Sequence, residues 1–172
     1  MILIGSRALA IRAPELLGRP PKDFDFIGEE PEILEFLNSF GFPFKKENCK
    51  IIANEHELPC EFETIDSRKS NEMLTSIVKG DSKTIETDFG LVPNIDLLFT
   101  LKASHKYLKN SPYFWKTARD YHVMKNSGAS VLPEYQEFFK IREKETYAYQ
   151  HPKLNVDKAL FFNNDQVSYV YD

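Results

Sequence analysis

The sequence predicts an α+β fold: a small mixed sheet with flanking helices, followed by a mainly helical C-terminal half. Two observations predict it. Strand-like and helix-like patterns alternate through residues 1–92, whereas after Pro93 nearly every patterned stretch has helical spacing. No linker-like stretch lies between the halves. Residues 1–92 are therefore expected to form a core and residues 93–172 a helical extension packed on it as one unit.

Residues 2–5 are short and apolar, a buried strand that ends in the Gly5-Ser6 turn. Residues 6–13 follow as a helix, with Ser6 placed as its N-cap and Pro14 as its stop. Gly18-Arg19-Pro20-Pro21 is a loop. Asp23-Phe24-Asp25-Phe26 has period two, so a strand here sends both aspartates to one face and both phenylalanines to the other. Pro31 suits the first turn of a helix that Gly41 ends, and Ile33, Leu34, Phe36, Leu37 and Phe40 lie at helical spacing within it. Residues 50–53 and 60–65 form two strands around a turn at 54–57. Residues 70–79 are helical, and 81–88 are polar and turn-rich.

In the second half, Asn94 caps a helix running to about residue 108. Another covers about 113–125 and is broken by Asn126-Ser127-Gly128. A third follows Pro133 to about 149, and the tail beyond Pro152 holds a short helix at 156–162.

Composition narrows the function classes. The 172 residues carry 22 basic against 26 acidic side chains, a net charge of -4, which argues against broad binding to nucleic acid. Cys49 and Cys60 fit neither a metal spacing nor a disulfide framework, so a cytoplasmic, reducing setting is expected. No apolar run reaches membrane-spanning length, and no membrane partner is expected.

The chemistry concentrates near the start. Two carboxylates on one sheet face repel each other unless a cation lies between them, which makes Asp23 and Asp25 candidates for a hard divalent metal such as Mg²⁺ (or Mn²⁺). A Gly-Ser turn after an apolar strand can bring backbone N–H groups to a phosphate. An apolar strand, Gly5-Ser6-Arg7, a helix and then Asp23-Phe24-Asp25 together resemble the nucleotidyltransferase superfamily of the DNA polymerase β type. The resemblance implies that Asp23 and Asp25 hold metal, that Gly5, Ser6 and Arg7 hold the phosphates of ATP or another nucleoside triphosphate, and that a later strand supplies a third acid. Glu61 and Glu63 share a strand face in the Cys60–Ile65 stretch; Glu61 is preferred as nearer the strand's start, with Glu63 second.

Lys102, His105, Lys106 and Lys109 form one stripe of the helix after Asn94, and Lys102 and His105 are the first choices there for substrate contact. Lys45, Lys46 and Lys50 flank a turn and are read as solvated. His122 lacks the adjacent His-Asp and further histidines of a metal phosphohydrolase and is read as a capping or core-edge residue.

The expected function is therefore a Mg²⁺-dependent transfer of a nucleotidyl group to a hydroxyl, releasing pyrophosphate. The acceptor is open among a small molecule, an RNA end and a protein side chain. The alternatives are a non-catalytic nucleotide-binding or regulatory module of the same fold and a metal-dependent phosphohydrolase.

Overall fold

The computed structural model describes residues 1–17, 19–47, 50–55, 58–105 and 114–148. Expectations about Cys49, Lys106, Lys109 and the tail beyond residue 152 lie outside these residues. The chain divides into two compact units, Met1–Leu98 and Phe99–Asp172.

In the first unit, β1 (Ile2–Ile4) runs into α1 (Gly5–Arg12), and a 3-10 turn at Pro14–Leu16 precedes β2 (Phe24–Gly28). Then come α2 (Glu30–Phe40), β3 (Phe44–Glu47), β4 (Lys50–Glu55) and β5 (Leu58–Thr64). A 3-10 turn at Ile65–Ser67 leads into α3 (Lys69–Gly80), and β6 (Ile85–Thr87) and β7 (Gly90–Val92) complete the sheet. These seven strands form one mixed sheet in the order β3-β4-β5-β2-β1-β7-β6. β2 runs antiparallel to β1 and parallel to β5, so the aspartate strand sits at the centre.

Phe24, Phe26 and Phe62 are buried on one face of this centre. Phe26 stacks on Phe62 at 5.0 Å between centroids, and Phe36 of α2 packs against both. Alternation along β2 and β5 leaves Asp25, Glu61 and Glu63 on the opposite face, each only partly exposed. Arg12 at the end of α1 donates to the carbonyls of Val92, Pro93 and Lys83, tying that helix to the β7 end of the sheet.

Several local expectations change. Ser6 is not an N-cap: α1 starts at Gly5, its cap residue is Ile4, and no side chain caps it. Ser6 instead lies within the first turn, buried, with its hydroxyl accepting from Arg19 at 3.0 Å. The helical spacing of α2 is right, but Phe40 is 60% exposed because the helix turns it past the edge of the core, where it stacks on Phe42. The polar stretch 81–88 contains a strand. β6 pairs with β7 in a hairpin whose Gly90 takes φ 108°, a backbone state glycine adopts cheaply. β3, unexpected from its charged sequence, is the exposed edge strand, where lysines discourage further pairing.

α4 (Ile95–His105) begins in the first unit, where the Asn94 side chain accepts from the Leu97 amide at 2.8 Å, the expected N-cap. The second unit holds the rest of α4 with α5 (Phe114–Asn126), a 3-10 turn at Pro133–Tyr135 and α6 (Gln136–Ala148). Its core includes Leu101, Ala118, Met124, Tyr135 and Phe138, and Phe99 stacks on Tyr121.

Candidate functional site

Gly5 lies where β1 turns into α1, with φ 70°. Ile4 registers against Asp25 across the β1–β2 ladder, so the Asp25 side chain lies beside that turn. A Cβ on Gly5 would run into Asp25 Oδ2 and would come within 3.1 Å of its Cγ. Glycine thus serves both a left-handed backbone and the seating of one carboxylate.

On the other side of β2, Asp25 registers against Glu61 of β5. The two strands are parallel, so paired residues share a face, and Glu61 is the acid beside Asp25. Asp23 lies two residues before Asp25, just ahead of the strand. Glu63 is one step further along the same face and is held by other partners. Asn71 Nδ2 donates to it at 3.2 Å, Arg68 Nε lies 3.6 Å away, and Lys50 Nζ lies 3.8 Å away. Asn71 also donates to the Thr64 carbonyl and to Ser67, so Glu63 belongs to the bracket that seats the start of α3.

Lys50 is not a solvated turn residue. β4 pairs antiparallel with β5 and sets Lys50 opposite Glu63. Its ammonium donates to Glu61 Oε2 at 2.6 Å. Burial alone pushes the Lys50 pKa down. The hydrogen bond to Glu61 and the charges of Glu61, Glu63 and Asp25 more than offset that and hold it above the ordinary lysine value. Sequence reasoning missed this residue, yet a signal existed. A hairpin closed around 54–57 already puts Lys50 across from a glutamate of the next strand.

Arg7 is engaged by Phe24. The Arg7 guanidinium stacks on the Phe24 ring at 4.3 Å and donates to the Pro21 carbonyl at 3.4 Å, and Phe24 leaves its strand on the face opposite Asp25. Lys102 and His105 belong to the second unit. There Lys102 Nζ donates to Asp120 Oδ2 at 2.8 Å, and Asp120 is fully buried. Lys102 is only 13% exposed at its side chain, so it is not part of a solvated stripe.

The donor set has the chemistry of a hard-cation site: every candidate ligand is a carboxylate. Gly5 leaves room for one of them against the start of α1. As the side chains stand, no three His, Cys, Asp or Glu among the described residues lie close enough to hold a metal ion together. Glu61 is occupied by Lys50, which already answers its charge.

Residues 1–78 match a family model described as a domain of unknown function, DUF7277, and residues 97–172 match a second, DUF7275. No curated protein matches the chain. A crystal structure of an antigenic nucleotidyltransferase-like protein from Paracoccidioides brasiliensis resembles it with a TM-score of 0.45 and 14% identity, over 95% of this chain and 88% of that one. A likeness that loose carries no argument about this chain's chemistry. Among the described residues no helix is long and apolar enough to cross a membrane.

Proposed function

We propose that the first unit binds a nucleoside triphosphate with a divalent metal and transfers its nucleotidyl group to a hydroxyl, releasing pyrophosphate. The observation that supports this reading is the register of Asp25 with Glu61 on adjoining parallel strands, beside a turn kept open by Gly5. In this reading Asp23, Asp25 and Glu61 would hold a Mg²⁺ or Mn²⁺ ion, which would supply positive charge to the phosphates and to the departing pyrophosphate.

The chain's own residues do the rest. Gly5 and the amides of the first α1 turn offer N–H donors to phosphate oxygens, at the helix end where negative charge is favoured. The Glu61 carboxylate, once freed from Lys50, accepts the proton of the attacking hydroxyl. Glu63 keeps the strand end fixed through Asn71 and Arg68.

The test is product analysis with nucleoside triphosphates labelled at the α-phosphate, offered with small-molecule hydroxyls, RNA ends and protein acceptors. Transfer predicts label on an acceptor and free pyrophosphate, dependent on Mg²⁺ or Mn²⁺. Orthophosphate or a free nucleoside would instead mark a phosphohydrolase. A second reading has one observation in its favour: Lys50 neutralises the third acid. It is a non-catalytic module that binds the triphosphate and leaves it intact, and it predicts saturable binding with no product.

A further inference from the structure

Arg7 directly follows Gly5-Ser6, where a phosphate contact is expected, but its guanidinium is used elsewhere. It lies 4.3 Å from the centre of the Phe24 ring and donates to the Pro21 carbonyl at 3.4 Å. One side chain of α1 thus grips the chain on both sides of Asp23. A second contact runs the same way: Arg19 Nη2 donates to the buried Ser6 hydroxyl at 3.0 Å. Both arginines therefore fasten residues 19–24 to the first turn of α1. Pro20 and Pro21 lie between the fastenings with φ fixed by their rings, so little slack remains.

The aspartates differ in how the sheet holds them. Asp25 is registered with Ile4 on one side and with Glu61 on the other. Asp23 precedes the first ladder pair, Phe24 with Cys60, so strand pairing does not set its place. We propose that Arg7 and Arg19 are positioning residues: they strap residues 19–24 onto α1 and thereby fix where Asp23 stands relative to the Gly5-Ser6 turn. The proposal rests on the functional reading above, in which Asp23 works beside phosphates held at that turn. It moves Arg7 from the phosphates to the back of the strand, since Phe24 leaves β2 on the face opposite Asp25. A guanidinium suits this place because its plane stacks on the ring while its fork still donates, which an ammonium does not reproduce.

The test compares the full-length parent with Arg7→Lys, Arg7→Met and Arg19→Met by two readouts. Amide hydrogen exchange, followed by mass spectrometry, should quicken about three- to tenfold over residues 19–23 in each variant and stay unchanged over β5. Turnover of a nucleoside triphosphate should lose about ten- to a hundredfold in kcat with KM little moved. Arg7→Lys should fare no better than Arg7→Met. A phosphate contact predicts the reverse: KM rises in Arg7→Met, Arg7→Lys recovers it, and exchange over 19–23 does not move. That result overturns the proposal, as does quickened exchange with kcat intact. If Arg7→Met does not fold, Ser6→Ala removes only the Arg19 contact, and unmoved exchange in Ser6→Ala and Arg7→Lys overturns the strap. If the parent turns over no triphosphate, the functional reading falls and the positioning role with it, while quickened exchange would still show the strap.

Discussion

Gly5 carries two constraints that can be separated by measurement. Its left-handed backbone costs any L-residue roughly 1–2 kcal/mol. A Cβ there also meets the Asp25 carboxylate. Gly5→Ala should therefore destabilise the protein in urea by at least about 1–2 kcal/mol. Part of that loss should vanish on an Asp25→Ala background, where the clashing oxygens are gone. A double-mutant cycle with no coupling would show that the backbone alone requires glycine. Lys102 and Asp120 give the opposite kind of residue. Removing one partner strands the other in a poorly hydrated place, so Asp120→Ala should cost about 3–5 kcal/mol by urea denaturation. A loss under 1 kcal/mol would mean that the pair opens to solvent.

Among the elements, α4 owes its start to Asn94, which accepts from Leu97 and donates to Asp81 Oδ2 at 2.5 Å. Asn94→Ala should cost about 0.5–2 kcal/mol for the cap, read from the urea midpoint, and Asn94→Ser should recover most of it. That cap was legible in the sequence, as were β1, β2, α2 and its glycine stop at Gly41, because capping and periodicity are local signals. The β6–β7 hairpin and β3 were not legible. β3 and β6 are largely exposed and β7 is only the three residues Gly90–Val92, so what makes them strands is a neighbour across the ladder rather than their own pattern. Ser6 illustrates the same limit at a helix start. A Ser in cap position by sequence sits two positions inside the helix because Gly5 could take the sharp turn itself.

At the scale of the molecule, the acid site was legible in part for a topological reason. Period two fixed which side chains share a face, so Asp25 and Glu61 could be foreseen on one side. Only the sheet order, β5-β2-β1, sets them next to each other and beside Gly5. The role of Lys50 was hidden because it depends on β4 pairing with the far side of β5. One family match, residues 97–172, coincides with the second unit and the other, residues 1–78, lies within the first, and each unit carries its own charged centre: Lys50 with Glu61 in the first, Lys102 with Asp120 in the second. The proposed metal site lies at the first of these centres.

Metal-dependent nucleotide binding tests that assignment most directly. Each of the four common ribonucleoside triphosphates would be titrated calorimetrically into the parent and into Asp23→Asn/Asp25→Asn, with Mg²⁺ and with chelator. The account predicts saturable binding of at least one triphosphate by the parent that requires Mg²⁺. It predicts loss of that binding in the double variant, whose melting temperature should be unchanged or higher because like charges have been removed. Binding of equal strength in the double variant, or binding indifferent to Mg²⁺, would contradict it.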